Sequence, residues 1–498
     1  MLKSSLLEIL RTFSKQELIK FEDFVMSPYH NKKENVVKLF LEIKRYAPSF
    51  TDTNLEKEKI WVKVFPGIEY NYGIMKNLIH ELTKLSESFI TIEHSNNKKL
   101  ENNLNLLETL LDRKITKVFS SKIEMIEKIY DNPDFKSESY SIESYYEFLN
   151  KLYYMKSQYN WHDNMGSLAA YELTCRSTDY LILSAIITFY KYFNNYLIIK
   201  NENIPGKDNV AEVFLAGLNK TLISPLLENV KVNSERDYLI LKCYHAMNIA
   251  IDADADINSY FNFKKSLIDC SDIISKDDLR NLLICLVNSL KNLKEDRSVL
   301  GINFNKEIME TFDLMIEHKT FLELNGMMEG NKFYYYCTVA FDLKEYESIE
   351  ILVKKFGNKI PENRRENENN YSQALIYFGK KQYSKSLEHL SRINLHFFNM
   401  KFVVKNIQMM NYYELNDYVS FNYVLDTYRH FFTRNKSITS YTKSAAENFC
   451  KNMNKLFKLR ESFDKFELEE FRKQIKGNEL TYKYWMLDKI SEIEKDNS

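Results

Sequence analysis

Glycine and proline are scarce in this chain, at 11 and 7 residues out of 498, where an average protein carries roughly 12% of the two together. Strand-rich folds need these residues at their many turns, so the deficit argues for helices and against a sandwich or barrel. No proline follows Pro361, which leaves the last third free to run as helix interrupted only by short turns. An excess charge of either sign is missing too: Lys plus Arg and Asp plus Glu both number 69. Residues 1–100 carry +3 and the remainder −3, and the charged stretch 362–368 is mixed in sign. Such a chain has no net field to draw it towards nucleic acid or an acidic membrane.

Cysteines lack any paired spacing. The six, at 175, 243, 270, 285, 337 and 450, include several at apolar helical positions and read as small core residues in a reducing compartment, so the expected location is cytoplasmic. Glu8 and Arg11 interrupt the opening segment before a signal-peptide core can form. The apolar run from Tyr180 to Tyr190 is 11 residues long, against the roughly 20 that a membrane span requires. It reads as a buried helix, and no membrane insertion is expected.

Motifs for chemistry are absent as well. No glycine-rich loop precedes a lysine, which removes a recognisable phosphate cradle. The nine histidines include no pair three or four residues apart; His389 and His396, seven apart, suit two solvated helix positions. Asp252, Asp254 and Asp256 alternate as in a calcium loop, but Ile257 stands where that loop needs glycine and Phe263 where it needs a bidentate acid. The segment reads as an interhelical loop with capping aspartates. The chain is expected to be non-enzymatic and to need no cofactor or metal. A deep pocket gathering two or more titratable groups would favour an enzyme instead.

What the chain does have is a spacing of core-type residues that recurs three times. The copies are Cys337, Phe341, Tyr346, Val353 and Phe356; then Ala374, Phe378, Tyr383, Leu390 and Ile393; then Met409, Tyr413, Tyr418, Leu425 and Tyr428. Internal offsets are identical, and the copies step by 37 and then 35 residues. The first two positions share one face of a first helix, and the last three fit a second helix. Between them lie short turns, Leu343-Lys-Glu, Lys380-Lys-Gln and Leu415-Asn-Asp, each followed by a tyrosine placed where the two helices meet. A weaker echo sits at Ile251, Ala255, Tyr260, Leu267 and Cys270. The fold class this predicts is all-α, with helical hairpins stacked as an α-solenoid.

The middle copy resembles a tetratricopeptide repeat, with Tyr377, Tyr383 and Ser386 matching best. Ile349 and Phe421 replace the family's small residue in the other copies, and its tryptophan-leucine-glycine start is missing. The resemblance covers roughly 100 residues and implies a protein-binding groove rather than a reaction.

Helix punctuation is clear near the start. Ser14 with Glu17 forms a capping box, Phe13 and Leu18 sit at the staple positions, and a helix is expected from Lys15 to the Ser27-Pro28 break. Thr53 with Glu56 repeats the device, and further helices are expected over 33–46, 54–64 and 72–90. The polar run 95–99 then divides an N-terminal helical unit, 1–95, from a hairpin array over 96–360. The polar stretch 361–370 marks the edge of a repeat-rich end, 361–498, whose terminal helices around Phe463, Phe466, Phe471, Ile475, Tyr484 and Trp485 are expected to cap the stack. The aromatic cluster Tyr145, Tyr146, Phe148, Tyr153, Tyr154, Tyr159 and Trp161 follows the 3-to-4 spacing of a buried helix face.

The N-terminal unit, through Phe21-Glu-Asp-Phe-Val-Met-Ser-Pro-Tyr-His-Asn and Ile60-Trp-Val-Lys-Val-Phe-Pro-Gly, resembles the opening of uncharacterised bacterial all-helical proteins, which bring no function with them. Residues 57–65 and 72–89 also look like the helix pair of winged-helix regulators that precede tetratricopeptide repeats. In that alternative the chain is a DNA-binding regulator with a helical sensor half, and Asn71, Lys76, Asn77, His80 and Lys84 contact DNA. Two lysines without an arginine are a weak phosphate-binding set, and only Phe89-Ile-Thr-Ile offers a strand for a wing. The expected function is therefore a scaffold that binds an unidentified protein, as a peptide or helix, in a solenoid groove. Outward positions of the first helices, Asn369, Asn370, Gln373, Lys405, Gln408 and Asn411, are the candidate peptide contacts.

Overall fold

The structure, a computed structural model, describes residues 4–130, 140–163, 168–201, 210–252, 255–293, 302–323, 325–394, 398–434, 440–477 and 482–497. Among these residues there is no strand, and the protein is all-α. The chain divides into two compact units, the first formed by residues 1–129 and 148–179, the second by 130–147 and 180–498.

The first unit opens with α1 (Ser5–Arg11), α2 (Lys15–Met26) and α3 (Glu34–Lys44). Both bonds of the capping box form: the Glu17 amide donates to Ser14 Oγ at 3.2 Å, and the Ser14 amide donates to Glu17 Oε2 at 2.8 Å. Phe13 and Leu18 are buried beside the cap, completing the staple. Thr53 and Glu56 do not cap a helix together. Asp52 accepts from the Asn54 amide at 2.7 Å and starts a short 3-10 turn that buries Leu55, so α4 (Lys57–Val64) begins later than expected.

Beyond it, α5 (Tyr72–Asn97) runs without interruption through Phe89, which removes the wing strand proposed there. Phe89 is buried against Phe13, Phe21 and Phe24, and the gain from that aromatic cluster outweighs the modest helix propensity of Ile90, Thr91 and Ile92. α6 (Lys99–Asp112) and α7 (Thr116–Tyr130) follow in this unit, joined by a short turn. Its remaining part comes from α8 (Ile142–Asp163) and α9 (Leu168–Asn201), each of which lies partly in either unit. In the aromatic cluster on α8, Tyr145, Tyr146 and Phe148 are buried, whereas Tyr154 and Trp161 are exposed.

The second unit continues with α10 (Val210–Gly217), joined through one π-helical turn to α11 (Ile223–Asn233). This 24-residue segment contains a window of mean hydropathy 1.3 that is 17% buried, and it is longer than the run noted at Tyr180. α12 (Glu235–Ile251) and α13 (Ile257–Cys270) form a hairpin at the weaker echo, and Asp256 caps α13 by accepting from the Ser259 amide at 2.8 Å. Asp254 lies outside the described residues. α14 (Lys276–Asn292) and α15 (Phe304–Glu317) lead into the threefold spacing.

That spacing produces three hairpins: α16 (Gly330–Asp342) with α17 (Tyr346–Phe356), α18 (Glu362–Gly379) with α19 (Tyr383–Ser391), and α20 (Phe398–Glu414) with α21 (Tyr418–Arg434). Their turns share one geometry. Lys344, Lys381 and Asn416 hold φ of 63°, 58° and 56° at matching positions. The next amide then donates five residues back, Glu345 to Ala340, Gln382 to Tyr377 and Asp417 to Tyr412, at 2.8 to 2.9 Å. This is the Schellman closure usually given to glycine, carried here by lysine and asparagine. Lys114 closes α6 onto α7 in the same way, with φ 56° and a bond from Ile115 to Leu110.

The polar stretch 361–370 is not an edge; it is the first half of α18. Pro361 starts the helix, Arg364 pairs with Glu368 at 2.8 Å one turn on, and Asn367 bonds the backbone of Asn394. Charge and amide pairing thus replace the apolar periodicity by which a helix is normally recognised.

Successive hairpins interlock through small residues. A Cβ on Gly379 would lie 2.4 Å from the Tyr346 ring, so the end of α18 accepts that ring only as glycine. Gly379→Ala is expected to destabilise the fold by roughly 1–3 kcal/mol in urea unfolding. Adding Tyr346→Ala should make the two changes non-additive, because the clash disappears with the ring.

Candidate functional site

The chain closes with α22 (Ser440–Glu461), α23 (Lys465–Gly477) and α24 (Lys483–Asp496). These helices cover the first-helix ends of all three hairpins. Phe341 packs on Tyr482 at 5.7 Å, Tyr413 packs on Phe457 at 4.8 Å and Trp485 at 5.5 Å, and Phe378 faces Trp485 at 6.5 Å. Trp485 Nε1 donates to Glu414 Oε1 at 2.8 Å, and Lys489 pairs with Glu414 at 2.9 Å. Phe341, Phe378 and Tyr413 therefore occupy equivalent surroundings, but the face they offer is already taken by the chain's own last helices.

The six candidate peptide contacts are not a uniform outward set. Asn411 is fully buried, donating to Ser386 Oγ at 3.1 Å and to the Ile407 carbonyl at 2.8 Å, so it faces the neighbouring hairpin. Asn370 Oδ1 pairs with His389 Nδ1 at 3.0 Å, and Lys405 Nζ donates to Thr427 Oγ1 at 2.9 Å, each bridging its own hairpin. Burial lowers the Lys405 ammonium below its usual range. Asn369, Gln373 and Gln408 are half-buried. His396 lies outside the described residues. In the first unit, Asn71 caps α5 by accepting from the Ile74 amide at 3.0 Å, while Lys76, Asn77, His80 and Lys84 stand on one exposed face of α5.

A different set of residues forms a cleft along α14. Asn281, Ile284, Cys285 and Asn288 recur at i, i+3, i+4 and i+7 and so line one stripe of that helix. One cavity of about 270 Å³ lies on this stripe and is completed by Lys191, Asn194 and Asn195 of α9 and by Tyr244 and Met247 of α12. A second, of about 300 Å³, adjoins it at Ile284 and Asn288 and is walled by Val287, Phe312, Met315, Lys332, Tyr334 and Tyr335. Four side-chain amides line the first; the second is walled mostly by rings and aliphatic groups, with Glu329, Asn331 and Lys332 among them.

Behind the amide-lined cavity sits a buried charge network. Lys191 pairs with both Glu143 and Asp278. Asp278, 1% exposed, also accepts from Tyr244 at 3.0 Å, from Ser275 Oγ at 2.7 Å and from the Ile142 amide at 2.8 Å. Burial alone would lower the Lys191 ammonium, but the carboxylates of Asp278 and Glu143 outweigh it and hold its pKa above the usual value. Burial, reinforced by Asp278, pushes the Tyr244 phenol far up, and burial pushes the Cys285 thiol up to about 12. At neutral pH the amide-lined cavity therefore holds an ammonium, a phenol and a thiol, with neither a free base nor a thiolate among its lining groups. Among the described residues no group of three or more His, Cys, Asp or Glu gathers to hold a metal.

The site and fold define an all-α protein of helical hairpins with an amide-lined cleft. Compared with known proteins, the chain matches no family model, no curated protein and no solved structure. The sequence reading missed the cleft because its parts come from α9, α12, α14, α15 and α16. The one local signal was the asparagine pair 281 and 288, seven residues apart and flanking the apolar run 282–287.

Proposed function

We propose that this protein is a non-enzymatic interaction scaffold, cytoplasmic in setting, that holds a peptide segment of another protein in the cleft along α14. The observation that carries this reading is a cavity walled by four asparagine side chains in which Lys191, Tyr244 and Cys285 all hold their protons. Amides bind without reacting, and a peptide backbone offers them one donor and one acceptor per residue. The array of helical hairpins supports the same reading, since stacked hairpins supply long surfaces for extended ligands. Its six cysteines, five of them buried, suit a reducing compartment. Own-chain cover over Phe341, Phe378 and Tyr413 favours the α14 cleft over Asn369, Asn370, Gln373, Lys405 and Gln408 as the binding surface. Panning a displayed library of random 12-residue peptides against the folded full-length chain tests the reading. Enrichment of a family of related peptides is expected, and a library that stays random after repeated rounds would contradict it.

A further inference from the structure

The two adjoining compartments define a ligand more narrowly, and this step rests on the peptide-binding reading above. Asn194 is 6% exposed, its Nδ2 donates to Cys285 Sγ at 2.9 Å, and its Oδ1 has no hydrogen-bond partner. A buried acceptor left in this state is costly, but this one is closed off within the wall, so the more open amides of Asn281 and Asn288 are the ones a ligand reaches. The lysine at the same wall does not call for an anion, because Glu143 and Asp278 already neutralise it. Of the three charges only the ammonium lines the cavity, which disfavours a cationic ligand, and Glu329 and Lys332 bring one charge of each sign to the adjoining compartment. What remains is a neutral partner with donors and acceptors in alternation.

Spacing agrees with a peptide main chain. Asn281 and Asn288 are two helical turns apart, about 10 Å along the axis at 1.5 Å per residue. An extended chain rises roughly 3.3 Å per residue, so three residues span that distance. The next compartment is bounded by Ile284, Phe312, Met315 and Tyr335, with Phe312 and Tyr335 rings 5.9 Å apart in an edge-to-face pair. Its walls, which also include Glu329, Asn331 and Lys332, enclose about 300 Å³, room for one bulky side chain against the apolar part. We propose that the cleft takes an extended, uncharged peptide segment, its backbone paired with Asn281 and Asn288 and one aromatic or large aliphatic side chain seated against Phe312 and Tyr335.

The test uses the full chain and the peptides enriched from the random library. The expected result is a consensus with one bulky apolar residue flanked by uncharged positions, and at least a tenfold loss of affinity in the N281A/N288A variant. Asn281 is exposed and Asn288 half-buried, so this variant should keep the wild-type melting temperature. Replacing the bulky residue of the peptide by alanine should weaken binding to wild type, and should weaken it less in Tyr335→Ala. Peptides that bind N281A/N288A as tightly as wild type overturn the placement while leaving the scaffold reading intact. A charged consensus indifferent to the bulky residue overturns the ligand class. A library that never converges overturns both this proposal and the reading beneath it.

Discussion

Lys191→Met is expected to cost roughly 3–5 kcal/mol of folding stability, towards the lower figure because the lysine keeps 22% of its side-chain surface. The cost arises from Asp278. Its carboxylate is almost wholly buried, and removal of the ammonium leaves it beside Glu143 with only neutral donors. Adding Asp278→Asn should recover part of the loss, since the stranded charge then disappears, and a double-mutant cycle in urea isolates that coupling. A change below about 1 kcal/mol in Lys191→Met would mean that the network behaves as a solvent-screened surface pair. The cleft would then lack the rigid wall assigned to it.

Asp342→Asn should stabilise the protein at pH 8 and do little at pH 4. Burial pushes the Asp342 carboxyl up to about 7, with the Asn305 amide, Lys344 and Lys483 only partly opposing it. Between the unfolded value near 4 and about 7, the folded chain keeps a proton that the unfolded chain has released. Stability from this group therefore falls as pH rises across that window and is level on either side. At about 1.4 kcal/mol per pH unit, the full penalty at pH 8 is on the order of 3–4 kcal/mol. Asparagine carries no charge and still offers Asn305 an acceptor, so the variant should lose this slope. Thermal unfolding of both proteins from pH 4 to pH 8 checks it; parallel curves would contradict the assignment.

Much of the hairpin architecture was legible because burial follows spacing. Cys337, Phe341, Ala374, Phe378, Met409 and Tyr413 are all buried at the offsets that the repeat required. Three features were not legible, each for its own reason. The turn residues Lys344, Lys381 and Asn416 adopt the left-handed conformation without glycine, so composition gave no warning of a common Schellman closure. The start of α18 is held by Arg364–Glu368 and by Asn367, which a hydrophobic pattern does not register. Asn411 has the helical position of a surface residue, but the next hairpin covers it and Ser386 becomes its partner. The cleft was the hardest to foresee, because Lys191, Tyr244 and Asn288 meet only after folding. Asn281 and Asn288 alone were readable, as two amides on one helix face at either end of the apolar run 282–287.

Hydrogen exchange of the full chain, with and without a library-derived peptide, tests the central claim most directly. Peptide binding in the cleft predicts slowed exchange in α9, α14 and α16, with α24 unchanged. Slowed exchange confined to α18 and α20, together with faster exchange in α24, would mean that the partner displaces the last helix from the hairpins, and would contradict the account.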